Sequence, residues 1–143
     1  MKKERQFYLA IHQLIRTGHW ITDQVSLVLK KHDITEPQFN VLRILKGKKG
    51  EPITVQEIQS EMVQRTSNVT RIIDKLLSKK LVQRKECPTN RRKMDIMITK
   101  DGLEYLKILD KGVRDFHKPM QKNITTEEAK AIIKLIKKLK GEK

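Results

Sequence analysis

RTSNVTRIIDKLLSKKLVQRKECPTNRRKMDIMITK, residues 65–100, decides the fold. Its first half sets Val69, Ile72, Ile73, Leu76 and Leu77 at i, i+3, i+4, i+7 and i+8, the apolar stripe of an amphipathic helix. Ser67, Arg71, Asp74 and Ser78 fall on the opposite face, with Asn68, Thr70 and Lys75 on the flanks. Its second half reads as two strands, 81–85 and 94–98, joined by segment 86–93 with Arg91, Arg92 and Lys93 at the tip. Eleven Lys or Arg stand against three acidic residues (Asp74, Glu86, Asp95), so the stretch carries 11 − 3 = +8. A helix followed by a basic hairpin fits a polyanionic groove twice, and that points to DNA.

The whole chain agrees with this sign. It has 143 residues, 32 basic against 17 acidic, a net charge of +15 and a sequence pI near 10.0. That length suits one domain, or one domain with helical extensions. An anionic membrane surface is the weaker partner, because no apolar run approaches the roughly 20 residues of a spanning helix. The start, MKKERQFYLAIHQLIRTGHW, is basic like a signal peptide, but His12, Gln13 and Arg16 interrupt any apolar core, so a cytoplasmic protein is expected. The single Cys87 excludes an intrachain disulfide or a multi-thiolate zinc site. It lies near cationic Lys85 but has no second thiol within the chain, and is read as passive. His12, His19, His32 and His117 are scattered, so neither metal nor cofactor is expected. No Gly-rich phosphate loop and no nucleophile–base arrangement is visible, which argues against an enzyme. Few aromatics (three Phe, two Tyr, one Trp) argue against a stacking platform for single strands.

Outward from the central stretch, every segment reads as helix. Phe7, Ile11, Leu14, Ile21, Val25 and Val28 form a heptad-like seam with Gly18 at its missing position. A helix of about 28 residues there spans about 42 Å, too long for a small domain to cover, so a second subunit is the expected partner. Thr35-Glu36-Pro37-Gln38 is a capping box with Pro in the first turn, and Thr54-Val55-Gln56-Glu57 reads as another. Thr66 or Ser67 is expected to cap the central helix, Thr99 the one after the hairpin, and Thr125 the last. Ile53 could pair as a small strand. The last helix sets Ala129, Ile132, Ile133, Ile136 and Leu139 against a lysine face.

The order of Ser67-Asn68-Val69-Thr70-Arg71-Ile72-Ile73-Asp74-Lys75-Leu76, then Leu81-Val82-Gln83-Arg84, then Asn90-Arg91-Arg92 and Ile98-Thr99-Lys100-Asp101-Gly102, resembles the winged-helix regulators of the MarR family. Upstream, Ile34-Thr35-Glu36-Pro37-Gln38-Phe39 looks like that family's entry to its second helix. The expected fold is mainly α with a small β-hairpin wing (α+β). A winged helix-turn-helix spans 35–102, and helices in 1–34 and 103–143 form a dimerisation region.

The resemblance implies a homodimer on a palindromic site in double-stranded DNA, acting as a repressor of transcription. Arg65, Ser67, Asn68, Thr70, Arg71 and Lys75 would serve the recognition helix, with Arg71 first for base contact through guanine O6 and N7. Asn90, Arg91, Arg92 and Lys93 would serve the wing, Arg92 foremost in the minor groove. Thr54 and Gln56 would meet phosphate. A small-molecule effector would sit between the two regions, near His12, His19, Trp20, Phe39 or Tyr105. Two positions depart from the family pattern. Asn90 stands where an Asp usually orients the wing arginine, and Lys80 where a Gly usually precedes the Leu-Val pair. The alternative reading is a basic nucleic-acid binder of low sequence specificity, architectural or RNA-bound.

Overall fold

A computed structural model of the chain describes every residue except 64, 65 and 67, and at 87, 90, 91 and 92 the backbone alone. Helix α1 (Lys2–Lys30) runs unbroken through Gly18, where an added Cβ would meet nothing within 4 Å. It is followed by α2 (Glu36–Gly47), β1 (Ile53–Thr54), α3 (Val55–Glu61), α4 (Val69–Ser78), β2 (Val82–Cys87), β3 (Asn90–Ile98), α5 (Lys100–Gln121) and α6 (Thr126–Leu139). The three strands form one antiparallel sheet in the order β1-β3-β2. Ile53 pairs with Ile96, and Val82 with Ile98.

Side chains at the helix starts set these boundaries. Thr35 Oγ1 accepts from the Gln38 backbone N–H at 3.3 Å, and Gln38 Oε1 accepts from the Thr35 N–H at 3.1 Å, which completes the expected box. Thr125 and Glu128 repeat it, and hydrogen bonds from Thr125 hold the Glu128 carboxyl below the usual carboxylate range. Thr54 caps α3 by accepting from the Glu57 N–H at 3.2 Å, but the reciprocal half is missing. Glu57 Oε1 instead takes the Thr54 hydroxyl at 3.3 Å. The expected Thr66 or Ser67 cap of α4 is also corrected. The N-cap is Asn68, which makes no side-chain cap bond, and Thr66 Oγ1 accepts from the Asn68 N–H at 3.1 Å.

The ends of α1 and α4 share another device. Lys80 N–H bonds the Leu77 carbonyl and Leu81 N–H the Leu76 carbonyl, a Schellman closure with Lys80 left-handed at φ +61°. Asp33 does the same after α1 at φ +54°. Gly102 shows why the start of α5 tolerates no side chain, since a Cβ there would lie 2.1 Å from the Leu81 carbonyl oxygen.

One core unites Leu29 and Ile34 with Phe39, Val41, Leu42 and Leu45 of α2, Ile58 of α3, Val69, Ile73 and Leu76 of α4, Ile96 of β3, and Leu106, Leu109 and Val113 of α5. Burying each such side chain contributes roughly 1.5–3 kcal/mol. The N-terminal half of α1 and all of α6 stay outside it. No residue of α6 is buried, and Phe7, Ile15, Ile133 and Leu135 are each more than half exposed.

Candidate nucleic-acid interface

Helix α4 presents the surface. Val69, Ile73 and Leu76 anchor it, with Ile72 and Leu77 half-buried, so Asn68, Thr70, Arg71, Asp74 and Lys75 are turned outward and exposed. The side chains opposite the core are thus short and polar or cationic, as a major-groove helix requires. Residues 65 and 67, both expected to contact DNA, lie outside the described residues. The turn before α4 is tied to the body by Asn40, whose Oδ1 accepts from the Val63 N–H at 2.9 Å. Gln59 adds a second tie, donating from Nε2 to the Thr66 carbonyl at 3.1 Å.

The hairpin beside it is longer and tighter than expected. Strand β2 reaches Cys87 and β3 begins at Asn90, so the turn is only Pro88 and Thr89, with a register shift between Glu86 and Cys87. Arg91, Arg92 and Lys93 therefore lie within β3, between the Asn90–Cys87 and Met94–Glu86 pairings and opposite the register shift, and not in the connecting turn. An extended strand takes up such extra residues as a bulge, whatever the charge of their side chains. Lys93 is exposed, while the side chains of Asn90, Arg91, Arg92 and Cys87 lie outside the described residues. Arg84 of β2 meets Asp74 of α4, Nη1 to Oδ1 3.4 Å, and so braces the hairpin stem against the helix.

Thr54 is half-buried, with its hydroxyl engaged by Glu57, whereas Gln56 is exposed in the first turn of α3.

A cavity of about 530 Å³ opens between α1, α2, α5 and the turn before α4. Of the residues expected near an effector, Phe39 lines this cavity, and His12, His19, Trp20 and Tyr105 do not. Trp20 packs near Phe116, ring centroids 6.1 Å apart, and is half exposed. His12 stacks on Tyr8 at 6.1 Å, and His19 is exposed. Tyr105 donates its hydroxyl to the His32 carbonyl, and burial, with the nearby Asp33 carboxylate, raises its pKa. Sequence reasoning missed Arg43 and His117, which line the cavity. The available signal was spacing: Arg43 follows Phe39 by one turn, and its guanidinium carbon lies 5.6 Å from that ring's centroid.

Among the described residues no three or more His, Cys, Asp or Glu side chains come together to hold a metal ion, and no helix is long and apolar enough to cross a membrane.

A three-stranded wing packed behind an outward-facing helix defines the winged helix-turn-helix class of DNA-binding fold. The MarR family model matches residues 34–94. The transcriptional regulator MhqR of Bacillus subtilis is 29% identical over 105 residues, 73% of this chain and 69% of that protein. The wild-type apo MarR structure from Escherichia coli is similar at TM-score 0.74 and 26% identity, covering 90% of this chain and 94% of that one. A MarR-like regulator structure from Bacillus cereus covers 99% and 98% at TM-score 0.79 and 24% identity. Residues 34–94 thus match the MarR family, and the likeness to MarR-family regulators of transcription extends over most of the chain.

Proposed function

We propose that the chain is a homodimeric repressor that reads a palindromic site in duplex DNA, acts in the cytoplasm, and is released by a small effector. The observation that carries this reading is α4, which has one face in the core and Asn68, Thr70, Arg71 and Lys75 exposed on the other. In a dimer the two copies of α4 enter successive major grooves, roughly 34–36 Å apart along the duplex. The β2–β3 hairpin reaches beyond the groove edge with Lys93, and Arg91 and Arg92 belong to the same bulged stretch of β3. Dimerisation through α1 and α6 covers the apolar faces those helices leave exposed. The effector site is the 530 Å³ cavity, whose wall includes Met62, Val63 and Thr66 of the turn leading into α4. A ligand there touches the segment that aims the recognition helix. Bound across a promoter, such a dimer occludes it.

Selection from a random duplex pool with purified protein tests the reading. We expect an inverted repeat bound at least ~10³-fold more tightly than random duplex at fixed salt. Equal affinity for all sequences would replace it with a low-specificity binder. Arg71→Ala is expected to cost about 1–3 kcal/mol on the selected site and to relax preference at one base pair per half-site. Uniform weakening on every sequence would make Arg71 a phosphate contact.

A further inference from the structure

Asp110 of α5 is a largely buried carboxylate with an unusual set of neighbours. Its side chain is 13% exposed, and both cations facing it come from α2: Arg43 Nη1 at 3.7 Å from Oδ1 and Lys46 Nζ at 3.7 Å from Oδ2. Oδ1 is closed to solvent yet accepts no hydrogen bond. The ion pairs are too long to be hydrogen bonds, so Coulomb attraction alone compensates this charge. A pair of that kind is a poor source of stability, because the desolvation of the carboxylate offsets much of the attraction.

What the contact does supply is position. Helix α5 packs on both α1 and α2, and continues toward α6. Leu42 and Leu45 of α2 share the core with Leu106 and Leu109 of α5, and apolar burial of this kind is non-directional. A charge held between two cations three residues apart on α2 fixes one register. Arg43 also rests over Phe39 and lines the cavity, and Val113, one turn beyond Asp110, lines it too.

We propose that Asp110 is a positioning residue. It sets how the winged domain is carried on the helices that join the two copies, and hence the spacing of the two α4 helices. This rests on the dimeric DNA-binding reading above.

The sign of the expected effect separates geometry from charge. Asp110→Asn keeps the side-chain shape but removes a negative charge from a chain already at +15. A purely electrostatic effect would therefore tighten binding to any DNA. We expect the opposite on the selected site, an affinity loss of roughly 5- to 10-fold, with binding to random duplex unchanged or slightly tighter. Nitroxides placed by Ser60→Cys in a Cys87→Ser background should report a broadened or shifted distance between the copies, without DNA present. An operator affinity equal to or tighter than that of the parent, with an unchanged distance distribution, would overturn the proposal.

If Asp110→Asn fails to fold, the combined Arg43→Gln and Lys46→Gln variant removes the same clasp from its exposed side and should shift the same distance; an unchanged distance there also overturns it. Failure of the parent protein to select any sequence would sink the repressor reading instead, while the distance measurement still judges Asp110.

Discussion

Helices α4 and α6 are both amphipathic, but their apolar faces meet different fates. Helix α4 buries Val69, Ile73 and Leu76 in its own chain, whereas Ile132, Ile133, Leu135, Ile136 and Leu139 of α6 remain between 37% and 63% exposed. The apolar stripe of a helix thus says that a partner exists, and not whose chain supplies it. With Phe7, Tyr8, Leu14 and Ile15 of α1, the α6 residues leave more apolar surface open than a soluble monomer usually presents. The core of the winged region is closed within one chain, whereas these faces of α1 and α6 are open in it.

Removing α6 strains that contrast most. Deleting residues 125–143 is expected to leave a cooperatively folding winged domain that no longer dimerises. Loss of the linked second half-site contact should weaken operator binding by roughly 10²–10⁴-fold. Light scattering and operator titration check both parts, and a persistent dimer would move the interface elsewhere.

Two leucine truncations probe it more finely. Leu76 is fully buried, so Leu76→Ala should lower unfolding free energy by about 2–5 kcal/mol at every protein concentration. Leu139, 44% exposed in the single chain, should behave differently. Its replacement by Ala should make the melting temperature more dependent on protein concentration, because stability there is linked to assembly. Denaturation at two concentrations a hundredfold apart distinguishes them. Equal responses would mean that α6 is not an intersubunit element.

The same distinction explains what the sequence disclosed. The caps by Thr35, Thr54, Thr99 and Thr125, the 3.6-residue stripes and the winged architecture were legible because they arise from local chemistry along a few turns. The α6 stripe was equally visible, yet within its own chain it finds nothing to cover it. The hairpin turn was drawn too wide because clustered Arg91, Arg92 and Lys93 look like a solvated loop, while a bulged strand stays extended whatever its side chains. The cavity between α1, α2 and α5 was only half visible. Phe39 could be named from its aromatic character, but Arg43 and His117 meet around it from helices far apart in sequence. Asp110 carries no local signal, because the two cations opposite it come from α2, far earlier in the chain.

Lys80 offers the gentlest test, and one confined to the winged domain. It occupies the left-handed position of the Schellman closure after α4, at φ +61°, and its side chain is exposed. A β-carbon in that conformation costs roughly 1–2 kcal/mol, which glycine avoids at the expense of greater freedom in the unfolded chain. The Thr99 hydroxyl donates to the Lys80 carbonyl at 2.8 Å, a bond that does not require the lysine side chain. Lys80→Gly should therefore stabilise the protein by about 0.5–1 kcal/mol, a rise of roughly 2–4 °C in melting temperature. The gain should be the same in the chain lacking α6, because the closure belongs to the winged domain alone. A gain seen only in the full-length dimer would show that the two regions are coupled through the end of α4. An unchanged or lowered melting temperature in both chains would show that the left-handed lysine carries no strain to relieve.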